Sequence, residues 1–237
     1  MPMQPTWMPR RGHTLLLDAD DTLWENNVYF ERAIARFYAL VDPEGDAVAM
    51  RECINAEERR VIAEMGYGLE SFRVALTRAF QALAPRRWNA EAAGAVEALA
   101  ADIAAEPIEF VAGAVETLHY LALRHRLVLM TKGDFAEQSR KVALSGLGPL
   151  FEQVHVVPEK DEATYRAKLE HLSAPAERCW MIGNSPKSDI NPALAAGLNA
   201  VLIPHPHTWV LEHDTVVARE GREFLQVERI GELRLHF

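Results

Sequence analysis

His13-Thr14-Leu15-Leu16-Leu17-Asp18-Ala19-Asp20-Asp21-Thr22-Leu23 is a short apolar run that ends abruptly in acids. An apolar triplet with no polar alternation suits a strand buried on both faces of a parallel sheet. Asp18 and Asp20, one residue apart, then stand at the carboxyl end of that strand, where open α/β sheets bind ligands. Crowded carboxylates repel one another unless a cation neutralises them. A cluster of oxygen ligands suits Mg²⁺. The same acids also suit a turn or a helix N-cap.

Outward from this stretch the pattern repeats. Leu127–Met130 precedes Thr131, Val154–Val157 precedes Lys160, Cys179–Ile182 precedes Gly183, and Ala200–Ile203 precedes Pro204. Helical patterns at Phe135–Leu144, Ala163–Leu172 and Asp189–Ala196 fill the gaps, the last stopped by Gly197. Strand and helix in alternation predict a doubly wound, parallel-sheet α/β core of Rossmann-like type. Phe224–Val227 reads as an edge strand and Ile230–Leu235 as a closing helix.

The stretch from Trp24 to Phe110 differs. Val28–Val41, Ala47–Met65, Leu69–Ala84 and Ala90–Ala105 all read as helices rich in Ala, Glu, Arg and Leu. The expected organisation is therefore a core of residues 1–23 and 110–237 interrupted by a helical domain over 24–109.

Composition sets outer limits. The 237 residues are 49% hydrophobic and 25% charged, ordinary for a globular protein. With 25 basic and 34 acidic residues the net charge is −9. Arg59-Arg60 and Arg86-Arg87 are isolated pairs, so no basic stripe for nucleic acid is present. No run approaches the roughly 18 apolar residues of a membrane span. The N-terminus lacks a secretory pattern and its first dozen residues are expected to form a loose arm. Cys53 and Cys179, far apart, read as free thiols of a reducing, cytoplasmic setting.

Three further segments carry chemistry. In Met181-Ile182-Gly183-Asn184-Ser185-Pro186-Lys187-Ser188-Asp189, the glycine permits a sharp turn, and Asn184 and Asp189 offer oxygen ligands. Asp189 also suits a helix cap. Thr131-Lys132-Gly133-Asp134 offers a hydroxyl and backbone N–H groups as an anion cradle. Lys160, at the sheet edge, can hold an aspartate and a phosphate together. Lys141 and Lys168 fall within predicted helices, where a lysine is usually a solvated face.

Taken in order, these motifs resemble the haloacid dehalogenase superfamily of aspartate-nucleophile hydrolases. Asp18-Ala19-Asp20-Asp21-Thr22-Leu23 is similar to its first motif, Thr131 to its second, Lys160 to its third by position, and Gly183-Asn184 through Asp189 to its fourth. The helical block is similar to the cap many members insert after the first motif. The resemblance implies a Mg²⁺-dependent phosphohydrolase acting on a small phosphorylated metabolite. Asp18 would be the nucleophile and Asp20 the general acid and base. Asp18, the Asp20 carbonyl, Asn184 and Asp189, directly or through water, would hold the metal. Thr131, the Lys132 backbone N–H and Lys160 would meet the phosphate. By position Trp24, Glu25, Asn26 and the Tyr67-Gly68 loop are candidates for substrate contact, with Trp24 also readable as a hinge-packing aromatic. The departure is Asn184, where the family usually has an acid; it implies weaker metal affinity, tightened by Asn184→Asp. A phosphomutase, a dehalogenase and a non-catalytic phosphate-binding protein are the alternatives. A second catalytic aspartate argues against the dehalogenase.

Overall fold

Leu15, Leu16 and Leu17 are each fully buried, because their strand is bonded along both edges. This strand, β1 (Thr14–Leu17), pairs in parallel with β2 (Arg126–Lys132) on one side and β4 (Cys179–Gly183) on the other. In the computed structural model, which describes residues 10–237, the sheet has six strands in the order β3-β2-β1-β4-β5-β6, all parallel. The outer strands are β3 (Gln153–Val157), β5 (Asn199–Leu202) and β6 (Phe224–Gln226). The order reverses between β1 and β4, so the ends of those two strands form the switch point at which such sheets take ligands. Most of the expected N-terminal arm lies in residues 1–9, outside the described residues.

Side chains alternate across the sheet. Leu15, Leu17, Leu129, Trp180 and Ile182 pack on one face with α5 (Ala114–Ala122) and α9 (Leu233–His236). Leu16, Val128, Met130 and Met181 pack on the other with α7 (Glu162–Leu172) and α8 (Asn191–Ala195). Both faces are covered, as continuous apolar strands require. α6 (Phe135–Ser145) follows β2.

The chain divides into two compact units, Met1–Glu25 with Ile108–Phe237, and Asn26–Pro107. The second holds α1 (Asn27–Val41), α2 (Ala47–Met65), α3 (Leu69–Leu83) and α4 (Ala90–Ala105) around Phe37, Ile54, Leu76, Phe80 and Leu99. Among the described residues no helix is long and apolar enough to cross a membrane. Cys53 and Cys179 are free thiols.

Two elements depart from the sequence expectation. α5 was not expected after Phe110; it is short and leans on the sheet through Leu118 and Leu121. The helix expected at Asp189–Ala196 instead opens as a wide turn over Pro186–Ile190, with Ile190 N reaching back to Ser185 O at 3.1 Å. Pro192 has no N–H for the Ser188 carbonyl. The Tyr165 hydroxyl takes that carbonyl instead, at 3.0 Å.

Candidate active site

Strand register brings the motifs to one edge. Leu17 sits beside Leu129 and Ile182, so Asp18 emerges between the ends of β2 and β4, and its N–H donates to Ile182 O at 2.9 Å. The chain then turns on the Ala19 carbonyl, which accepts from Leu23 N at 2.8 Å. Asp21 completes the turn in the left-handed region, φ 59°, a conformation Asp tolerates better than most residues. The turn carries the Thr22 hydroxyl back to Asp18 Oδ2 at 3.1 Å and to Asn184 Oδ1 at 3.4 Å.

Asp18 and Asp189 share one cation. Lys160 Nζ bonds Asp18 Oδ1 and lies 2.8 Å from Asp189 Oδ1, with all three side chains buried. Burial raises the Asp18 carboxyl, Lys160 partly offsets this, and Asp189 raises it again, to about 7. The two carboxylates likewise hold the Lys160 ammonium charged against burial. Asp189 Oδ2 accepts from Ser185 N at 2.9 Å, so both its oxygens are engaged within the protein. The carboxylate lies against Gly183, where an added Cβ would come within 2.2 Å of Oδ2.

Asp20 has a separate set of partners. Its Oδ1 accepts from Trp24 Nε1 at 2.8 Å, its Oδ2 accepts from Gln138 Nε2 at 2.9 Å, and Lys141 Nζ is 2.9 Å from both oxygens. Burial alone would raise this carboxyl; Lys141, Gln138 and Trp24 more than offset it, and the net shift is downward. Four donated hydrogen bonds stabilise the anion. Thr131 belongs to the same chain of bonds. Its hydroxyl donates to Gln138 Oε1 at 3.2 Å and thereby fixes the amide that reaches Asp20. Gly133, φ 145°, leaves room for Gln138, which an added Cβ would meet at 3.0 Å.

Several other candidates fall differently from expectation. Lys141, read from sequence as solvated, is the ionic partner of Asp20. Trp24 is 1% exposed and packs in the sheet core, so it is a packing residue that orients Asp20 and not a substrate contact. Lys132 turns its ammonium to Glu212 at 2.8 Å and Ser188 at 2.9 Å. Tyr67 lies in the second unit. Sequence reasoning missed Gln138, Thr208 and Glu212, and named Lys141 only to set it aside as solvated. Gln138 and Lys141, three apart on the helix after Thr131, share a helix face, which is the signal available for them. Asp21, Glu25 and His205 each offer a potential ligand atom within 4.8 Å of the others. None of them belongs to the expected metal set, and burial lowers the His205 imidazole.

Residues 13–197 match the family model of haloacid dehalogenase-like hydrolases. The chain belongs to that family. Among solved structures it is similar to a haloacid dehalogenase-like family hydrolase from Xanthomonas campestris, with 29% identity, 94% of this chain and 93% of that chain covered, and a TM-score of 0.80. It shares the fold of YfnB from Bacillus subtilis, assigned to these hydrolases and solved with bound magnesium, at 21% identity, 94% and 97% coverage and a TM-score of 0.64. It also shares the fold of L-2-haloacid dehalogenase from Xanthobacter autotrophicus, at 16% identity, 94% and 97% coverage and a TM-score of 0.60. No curated protein matches the chain. Its haloacid dehalogenase-like core thus holds one acid pair on Lys160 and one isolated acid on Lys141.

Proposed function

We propose that the protein is a cytoplasmic, Mg²⁺-dependent phosphomonoesterase that hydrolyses a small phosphorylated metabolite through Asp18. The observation that carries this reading is the second carboxylate, Asp20, held on its own donors two positions beyond Asp18. Dehalogenation needs an aspartate nucleophile and no second acid. Phosphoryl transfer to water needs a group to move a proton in each half-reaction.

In the first half-reaction an Asp18 oxygen bonds to phosphorus, the bond to the leaving oxygen breaks, and Asp20 supplies that oxygen with a proton. In the second, Asp20 takes a proton from water as the water oxygen attacks phosphorus and releases Asp18. The donors around Asp20 lower its carboxyl and favour the anion, the form that the second step needs. Lys160 neutralises part of the negative charge around Asp18 and orients its carboxylate.

Asp18, the Asp20 carbonyl and Asn184 offer oxygen donors only, a set that fits Mg²⁺, with Asp189 behind them on Lys160. When bound, the ion would neutralise charge between carboxylate and phosphate. The helical unit Asn26–Pro107 would act as the cap that selects the leaving group. The neutral amide at Asn184 favours a second reading, a metal-free dehalogenase.

The test is phosphate release from p-nitrophenyl phosphate and a panel of metabolite phosphates, for wild type and Asp18→Asn, with Mg²⁺ and with EDTA. Chloride release from 2-chloropropionate is followed in parallel. Turnover that requires both Mg²⁺ and Asp18 is expected. Chloride release without phosphate release would replace the phosphatase reading with the dehalogenase.

A further inference from the structure

An asparagine side chain has two unlike ends, and only the oxygen can serve a cation. At Asn184 the bond to Thr208 decides which end faces Asp18. Asn184 Nδ2 donates to Thr208 Oγ1 at 3.2 Å, which leaves Oδ1 on the Asp18 side, 3.4 Å from the Thr22 hydroxyl whose hydrogen goes to Asp18 Oδ2 at 3.1 Å. Thr208 is fixed in turn: its N–H and its hydroxyl both donate to His205 O, each at 3.0 Å. A hydroxyl has one hydrogen. With that hydrogen on His205 O, Thr208 Oγ1 meets residue 184 as an acceptor and requires a donor there. The amide supplies one. A carboxylate would either face this acceptor at a position only 7% exposed or draw the Thr208 hydrogen away from His205 O, and each alternative costs a bond made in the wild-type pair.

We propose that Thr208 is a positioning residue that selects asparagine at position 184 and turns its oxygen toward Asp18. The pairing accounts for the amide that stands where the family usually has an acid. It rests on the phosphatase reading for the metal alone; the match between positions 184 and 208 is a property of the metal-free chain.

A carboxylate at 184 would also repel Asp18 whatever stands at 208, so a single variant does not isolate the effect. A double-mutant cycle cancels the shared repulsion. Thr208→Val keeps the side-chain shape and removes the hydroxyl. Wild type, N184D, T208V and N184D/T208V are unfolded in urea with EDTA at about pH 8. N184D is expected to lower the folding constant about threefold to tenfold more in the presence of Thr208 than in the T208V background, the scale of one hydrogen bond. An equal effect in both backgrounds overturns the proposal.

Calorimetric Mg²⁺ titration is the second arm. T208V should bind Mg²⁺ about threefold to tenfold more weakly than wild type, with affinity restored by T208S. Equal Mg²⁺ affinity of T208V and wild type overturns the positioning role. Wild type that takes up no Mg²⁺ removes the metal reading and leaves the urea cycle to decide the pairing.

Discussion

Lys141 Nζ stands 2.9 Å from each carboxylate oxygen of Asp20, a partner 121 residues away in the chain. The ammonium opposes burial and keeps Asp20 an anion. Lys141→Met removes that charge, so the Asp20 carboxyl must rise. An acid with a higher pKa stays protonated to higher pH. The basic limb of the kcat–pH profile should therefore move upward. An unmoved basic limb would show that Asp20 is not the titrating acid.

Asp18 gives a stability signature of its own. Its folded carboxyl is raised from 3.8 to about 7, so between those values the folded chain binds more protons than the unfolded one. That contribution to stability is present at low pH and is lost as pH rises through the window. In EDTA, Asp18→Asn should gain stability relative to wild type as pH increases from 3.8 to about 7. Urea midpoints of the two proteins across that range test it; a constant difference contradicts the shift.

His125 acts in the opposite direction. It accepts from His13 N at 3.3 Å and packs edge-on against Phe237. Burial first, and then the His13 imidazole, lower it from 6.5 to about 4. The folded state resists a proton that the unfolded chain accepts, so wild type loses stability as pH falls through this window. His125→Asn keeps an acceptor without a titrating ring and should flatten that loss. Melting temperatures of the variant and wild type, compared across the window, give the answer.

Gly183 is constrained by what lies over it. A Cβ there would stand 2.2 Å from Asp189 Oδ2 and 2.4 Å from its Cγ. Gly183→Ala must displace Asp189 from Lys160 and from Ser185 N. A loss of about 1–3 kcal/mol in urea unfolding is expected, the range for overpacking, together with loss of phosphate release. Wild-type stability in this variant would mean that Asp189 moves freely.

The parallel strands were legible because burial on both faces leaves an unbroken apolar run, as in Leu15-Leu16-Leu17 and Cys179–Ile182. Asp18, Lys160 and Asp189 were legible because each follows its own strand, and the fold carries such positions to one edge. Lys141 was not. A lysine within a helical pattern looks solvated until its partner is known, and Asp20 belongs to another strand end. Trp24 was only half legible, because position near the site cannot distinguish a side chain facing substrate from one in the core. The amide at 184 was visible as a departure, but the group that explains it lies 24 residues on, in a loop without periodicity.

β1 is bonded on both edges, and Asp18 continues the ladder by donating to Ile182 O at 2.9 Å. Neither edge of β1 is a margin of the sheet. Amide protons from Leu15 to Asp18 can then reach solvent only when the whole sheet comes apart, so their exchange should report global opening. Inactivation and unfolding would be a single event: a population of molecules that has lost the position of Asp18 while keeping its fold should not accumulate.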